Sequence, residues 1–364
     1  MNAPQDLPQQ PIPMFSPKHF PVYMDYSATT PIDPQVVDKM LPYLREQFGN
    51  AASRSHAYGW AAEEAIELAR KKISSYFGVQ ARQVVFTSGA TESNNLCILG
   101  YLKDRPKGHL ITSSIEHKAV LQVFQELAHQ GWSVTYLQPN ALGCIEVSDL
   151  EQAIRSDTTL VSLMMVNNET GNMTDFQGIS LLCKPANIIF HSDATQAIGK
   201  LDLMQYEHLP DLLSFSGHKI YGPKGIGGII FNSKVELKPL TFGGGQERGL
   251  RPGTLPVQQI VALAACFDLM PLLIESLEQV LSFADQLHPD LYKTKPTLIA
   301  MMKQAGYKTI WISNQQTLTA RNTILTTFAK QTDQQIWLNN ARSQNSYSFD
   351  EKVLEPFSHA LQDK

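Results

Sequence analysis

The stretch QVVFTSGATESNNLCILGYL, residues 83–102, decides the fold. Its apolar start, 83–87, reads as a short buried strand, a Ser-Gly pair breaks the run, and a helix opens near Thr91. Strand, turn and helix in such quick succession make half of a βαβ unit, and the scheme recurs on both sides. Upstream, WAAEEAIELARKKISSYFG (60–78) has helical spacing of apolar residues and closes on Gly78. Downstream, HLITSSIEHKAVLQVFQELAHQG predicts a strand at 109–113 and a helix from Lys118 to Gln130. SVTYLQ (133–138), a helical SDLEQAI (148–154), TLVSLMMVNN (159–168), NIIFHSDATQ (187–196), DLLSFSGH (211–218) and GGIIF (227–231) follow.

This alternation predicts an α/β fold: a mostly parallel seven-stranded sheet with helices on both faces. Ligands of such sheets bind beyond the carboxyl ends of the strands. The polar motifs lie there, since SGATES, SSIEHK, VNNET, SDATQ and SFSGHK each follow an apolar strand.

Bulk properties narrow the function classes. A chain of 364 residues predicts two domains, or one large domain with a satellite. With 43% hydrophobic and 18% charged residues and a net charge of −4, it shows no basic stripe for nucleic acid and no polybasic tail for a membrane surface. Cys97, Cys144, Cys183 and Cys266 are widely spaced, which argues against a disulfide framework or a zinc site and fits a reducing compartment. Residues 1–21 carry six prolines and no signal-like apolar core, so they predict an extended or disordered arm. No unbroken run of 18 apolar residues occurs, so no bilayer span is expected, and the cytoplasm is the expected location.

Each motif has a chemical and a plain reading. SGATES sets Gly89, Ala90 and Thr91 at a helix N-terminus, where free amides favour a phosphate; the plain reading is a helix cap. Asp193 ends an apolar strand and would suit a protonated ring nitrogen, or else caps the next turn. His117 could stack on a planar ring, or be structural. Lys219, hemmed in by Ser216, Gly217 and His218, could be a surface lysine or an amine held for covalent work on an aldehyde. A phosphate cradle, a carboxylate, a flat side chain and a lysine together describe a site for pyridoxal phosphate. Asn168 and Gln196 are candidates to bond its ring oxygen, with Ser216 and His218 completing the phosphate site.

The succession YMDYSATTPIDP, FGNAASRSHAYGWAAEEA, VVFTSGATESNNL, EHKAVL, VNNETG, DATQAIGK, SFSGHKIYGPKGIGG and GGGQERGLRPGTLPVQQI closely resembles cysteine desulfurases of the housekeeping iron–sulfur-cluster type. These belong to the class V aminotransferase group of fold-type I pyridoxal-phosphate enzymes, and the likeness runs from Val22 to Leu269. It implies that Lys219 forms the Schiff base, Asp193 pairs with the pyridine nitrogen and His117 stacks over the ring, with Lys219 and His117 catalytic. It implies that Asn168 and Gln196 hold the 3′-oxygen. It further implies that Ala90, Thr91, Ser216 and His218 bind the phosphate, with Thr254 reaching over from the other subunit of a homodimer. The implied reaction turns L-cysteine into L-alanine and passes sulfur, through an acceptor or scaffold protein, to iron–sulfur clusters or thiolated RNA.

The pattern predicts a pyridoxal-phosphate-binding large domain over 22–285 and an atypical segment over 286–364. The family's persulfide cysteine lies in a loop similar to SSGSAC, and nothing of that form occurs here. The four cysteines present are expected to be inert core residues. The family's late substrate-binding arginine also lacks its motif, since Arg321 and Arg342 have unrelated surroundings. AGYKTIWISNQ, FAKQTD and FDEKVLEPF instead resemble an internal piece of lipid A phosphoethanolamine transferases, without a ligand set of metal spacing. Local patterns there predict a helix at 297–305 capped by Gly306, a strand at 309–313 and helices at 320–330 and 350–361. Three expectations stand: a desulfurase with an unconventional sulfur acceptor, a cofactor-binding partner that cannot complete turnover, or a fusion or decay product without activity.

Overall fold

Short apolar runs make the strands, and their lengths match across one sheet. They are β1 (Val84–Thr87), β2 (His109–Ser113), β3 (Ser133–Leu137), β4 (Thr158–Ser162), β5 (Ile189–Asp193), β6 (Leu212–Ser216) and β7 (Gly227–Phe231). The order across the sheet is β1-β7-β6-β5-β4-β2-β3. Neighbours from β3 through β6 are parallel, while β7 is antiparallel to both β6 and β1. β1 therefore points the same way as β6, and every strand but β7 ends on the same edge. This computed structural model describes residues 25–287, 299–302 and 309–312, all within one compact unit, Asp25–Arg321.

Helices α1 (Pro34–Arg45), α2 (Ala57–Tyr76), α3 (Ala90–Leu102), α4 (Lys118–His129), α5 (Val147–Ala153), α6 (Phe176–Cys183) and α7 (Val257–Leu287) cover the sheet. Alternate strand residues face two separate cores, as a period of two requires. Val84, Ile111, Val161, Phe190 and Leu213 join Ile66 and Ile73 of α2 and Leu263 of α7. Val85, Leu110, Leu160 and Leu212 join Leu96 of α3 and Phe124 of α4 on the other face. Helices on both faces are thus observed as predicted.

Local chemistry explains the element ends. Gly78 (φ 62°) closes α2, with its amide on Ser75 O and the Val79 amide on Ser74 O, a Schellman stop. Two helices lack a signal in the sequence reading. α1 starts with Asp33 capping the Gln35 amide and Pro34 at its first position, and α6 starts with Asp175 capping Gly178.

Two sequence expectations need correction. The strand expected over 159–168 ends at Ser162, although Leu163 and Met165 still donate to His191 O and Asp193 O. The side chain of Asn167 then takes the amides of Glu169 and Thr170 and turns the chain out of the sheet. The helix expected over 297–305 is a strand at Ile299–Met302 (β8), paired antiparallel with β9 (Thr309–Ile312). A four-residue apolar run does not distinguish helix from strand, and pairing decided it. One stretch among the described residues, Val257–Glu275 of α7, has the length and mean hydropathy (1.8) of a membrane helix although Gln and Asp interrupt it, and it packs as a core helix. Its Ile260, Leu263 and Met270 are buried in the core beside Val36 of α1 and Ile73 of α2. α7 also continues through residue 285, the expected domain boundary, to Leu287. The arm 1–21, Gly306 and the helices at 320–330 and 350–361 lie outside the described residues.

Glycines let β7 pass between its neighbours. A Cβ on Gly227 would stand 2.4 Å from Phe215 O and 2.7 Å from the Gly89 Cα. Gly227→Ala is expected to cost about 1–3 kcal/mol through this overpacking. Urea unfolding checks it, and an unchanged midpoint would show that the strand is not held this closely.

Candidate active site

Because β1, β2, β4, β5 and β6 all end on one edge, the polar motifs that follow them meet there. β1 leads through Ser88 and Gly89 into α3, whose first turn has no side-chain cap. The amides at Ala90 and Thr91 thus begin a 13-residue helix with its positive end toward this edge. Gly89 has φ 146°, and a Cβ there would stand 3.5 Å from the Ser216 Oγ. The turn after β1 and the end of β6 therefore touch.

β5 ends on Asp193, which is 5% exposed. Its Oδ2 accepts from the Asn94 Nδ2 of α3 at 2.7 Å, and its Oδ1 accepts from the Thr195 amide at 3.0 Å. Asp193 thus holds its own turn through the Thr195 amide and presents a buried carboxylate at this edge.

β6 leads into a short 3-10 turn, Gly217–Lys219. The Lys219 ammonium donates to Ser27 O at 2.6 Å and to Ala28 O at 2.8 Å. Gln196 Nε2 donates to the same Ser27 O at 2.9 Å, and Lys200 Nζ donates to Gln196 Oε1. His218 shares a 3.1 Å hydrogen bond with Thr29 Oγ1, and its carbonyl accepts the Thr30 amide. The segment around residues 27–30 thus clasps the lysine turn.

This edge is electropositive. Burial pushes the Lys219 ammonium below the usual lysine range, against the carboxylates of Asp25, Asp193 and Glu169, which hold it up. Burial, then the nearby Lys219, push Lys200 down to about 7. His218 falls to about 4 through burial and the ammonium groups of Lys219, Lys224 and Lys200. Uncapped helix amides and three lysines supply the donors, and a buried carboxylate the acceptor, that an anionic group on a basic ring requires. The residues present therefore fit pyridoxal phosphate.

The remaining predicted residues stand differently. His117 is exposed and caps α4, its Nδ1 accepting from the Ala119 amide at 3.1 Å. Asn168 donates to Glu169, while its neighbour Asn167 is the buried amide and donates to Ile115 O. Thr91 and Thr254 are exposed. Three cysteines are buried as expected, and burial pushes Cys97 and Cys183 up to about 12 and Cys266 higher still. Cys144 is only half-buried, with its thiol also raised. A cleft of about 600 Å³, lined by residues such as Gln83, Asp211 and Asn232, lies at the opposite edge and holds none of the predicted site residues.

Sequence reasoning missed Asn94, Lys200 and Glu116. Glu116 is 6% exposed; its Oε1 accepts from Ser113 Oγ at 2.7 Å and the Met164 amide at 3.0 Å, and its Oε2 has no partner. A water-sized cavity adjoins it. Asn94 follows the SGATES motif by one residue, so a buried amide there was within reach of the pattern.

The class-V aminotransferase family model matches residues 22–322. The cysteine desulfurase IscS of Photorhabdus laumondii is 48% identical over 266 residues, 71% of this chain and 66% of that protein. The IscS of Pectobacterium carotovorum is 51% identical over 253 residues, 68% of this chain and 63% of that protein. The chain thus spans just under two thirds of the length of these relatives. A solved structure, SspA in complex with cysteine, is 43% identical with a TM-score of 0.64, covering 68% of this chain and 72% of that one.

Burial pushes the Glu116 carboxyl up to about 8 from its ordinary 4.5, with Asp193 adding to the shift. The folded chain then binds more protons than the unfolded one between these values, so this group's contribution is lost as pH rises from 4.5 to about 8. Glu116→Gln keeps the hydrogen-bonding shape and removes the titration. Its stability is expected to gain on the parent's across that window, by at most about 1.4 kcal/mol per pH unit. Urea unfolding of both chains from pH 5 to 8 decides it, and parallel midpoints would mean that Glu116 is ionised in the fold.

Proposed function

The chain belongs to the class-V aminotransferase family, and from that premise we propose that it binds pyridoxal phosphate at Lys219 and acts on L-cysteine as a desulfurase. The observation that carries this reading is the Lys219 ammonium, clasped by two backbone carbonyls on an electropositive edge beside the buried Asp193. The name of the solved SspA complex, which contains cysteine, supports the substrate class.

When bound, pyridoxal phosphate supplies an aldehyde for an amine and a ring that withdraws electrons. Lys219 is the amine, and its lowered basicity leaves it able to carry protons to and from the substrate. Asp193 would keep the ring nitrogen protonated, and Gln196 and Asn168 would serve the 3′-oxygen. Ala90, Thr91, Ser216 and His218 would hold the phosphate, and His117 would be the residue that stacks on the ring. We assign Thr254 to the partner's site in a homodimer.

The proposed reaction balances as cysteine plus an acceptor thiol giving alanine plus a persulfide. No described cysteine is a low-pKa thiol, so the acceptor is a thiol from outside this set, a small molecule or a partner protein that serves iron–sulfur clusters or tRNA thiolation. The same burial favours a second reading, in which the chain holds the cofactor as a dimerisation partner without completing turnover. Its free, widely spaced cysteines suit the cytoplasm. We read 286–364 as a catalytically silent segment similar to phosphoethanolamine transferases; the family model overlaps it as far as residue 322.

Absorption of the purified chain in the visible region, followed by an alanine assay with L-cysteine and a thiol, tests the reading. A coloured protein that makes alanine supports the desulfurase, and colour without alanine supports the second reading. Lys219→Ala is expected to lose the visible band, and an unchanged spectrum would sink the cofactor assignment. Asp193→Asn should keep cofactor but form alanine at least about tenfold more slowly. Equal rates would remove Asp193 from the ring nitrogen.

A further inference from the structure

The loop 243–254, GGGQERGLRPGT, is held in a conformation that its sequence alone does not favour. Glu247 (φ 49°), Arg248 (φ 57°) and Gly249 (φ 82°) are left-handed in succession, and two of them carry a Cβ. Tertiary bonds hold them there. Arg70 of α2, 3% exposed, grips the Glu247 carboxylate at 2.6 and 2.8 Å, and that carboxylate also accepts the Phe86 amide of β1 at 2.8 Å. Farther along, Arg251 Nε donates to Glu92 Oε1 at 2.9 Å. The other oxygen of Glu92 accepts the Ser88 amide at 2.6 Å. Glu92 lies in the first turn of α3.

The loop is thus fastened at two points to β1 and α3, the elements that form the phosphate cradle. It ends three residues past Arg251 on the exposed Thr254. We infer that Arg251, anchored on Glu92, and Glu247, anchored on Arg70, are positioning residues that set Thr254 for the partner's cofactor site rather than for their own. The inference rests on the dimeric cofactor site proposed above. One carboxylate, Glu92, serves both the cradle of its own subunit and the arm lent to the other.

Mixed dimers separate the two sites. The readout is the dissociation constant of pyridoxal phosphate, by fluorescence titration of the cofactor-free protein, counting cofactor retained through gel filtration. Arg251→Met homodimers are expected to bind about tenfold more weakly than the parent. In a mixed dimer of Arg251→Met with Lys219→Ala, the one intact lysine lies in the Arg251→Met subunit and receives its loop from the other. Parental affinity there is expected. Affinity that stays weak would show that Arg251 acts within its own subunit and would overturn the proposal. Arg251→Lys, which keeps the charge but loses the fork, provides a second variant should the first fold poorly, and is expected to give a smaller loss that mixing likewise restores. Thr254→Ala keeps the failures apart. If it weakens binding and Arg251→Met does not, the positioning role falls alone, and if neither does, the dimeric reading falls.

Discussion

A carboxylate buried at the end of the central strand sets the terms for its surroundings. Asp193 closes β5, the fourth of the seven strands. An ion without partners at such a place costs several kcal/mol, so its neighbours must supply donors. The side-chain amide of Asn94 is one of them, and it ties α3 to the middle of the sheet. The first turn of α3 is the cradle proposed for the phosphate, so the bond that satisfies the carboxylate also fixes where that turn lies. Below, His191 is wedged between Ser162 Oγ and Ser214 Oγ at 2.8 Å each and held neutral by burial. Three strands are thereby joined by side chains under the site, independently of their backbone ladder.

The cations follow from the same constraint. Lys219 and Lys200 meet through Gln196 and the Ser27 carbonyl, so two amines share one polar network. Both cannot hold full charge cheaply in a partly buried place, and Lys200 yields first. His218 falls to about 4 chiefly through burial, with the ammonium groups of Lys219, Lys224 and Lys200 adding to the shift. An anion arriving at the start of α3 meets helix amides and ammonium groups already in place, with little reorganisation left to do.

The sheet was legible in the sequence because apolar runs of four or five residues, buried on both faces, leave a periodic trace and end in conspicuous polar motifs. That Asp193, Gln196 and Lys219 would come to one edge was legible for the same reason, since Asp193 closes a strand and the other two lie three residues past a strand end. What escaped notice depends on tertiary partners. Asn94 and Glu116 look like ordinary residues of a helix's second turn and a loop, and only burial gives them a role. Of the pair Asn167–Asn168, the sequence does not show which turns inward, and the buried one is Asn167. The run at 299–302 was misread because four apolar residues fit a helix as well as a strand, and only pairing with Thr309–Ile312 separates them.

The chemistry divides along the same line as the structure. On the desulfurase reading proposed above, releasing sulfur needs a held amine, a protonated ring and a bound phosphate, and the residues assigned to these follow strands that end on one edge of the sheet. Accepting that sulfur needs a thiolate, and burial raises Cys97, Cys183 and Cys266 far from ionisation at neutral pH. Cys144, half-buried beside Glu146, is raised as well. A thiol in an apolar core is a packing residue, and a thiol beside a carboxylate is a poor nucleophile. The edge that binds and the group that accepts are therefore separable requirements. On that reading the described residues serve the first, and the second falls to a thiol brought to that edge.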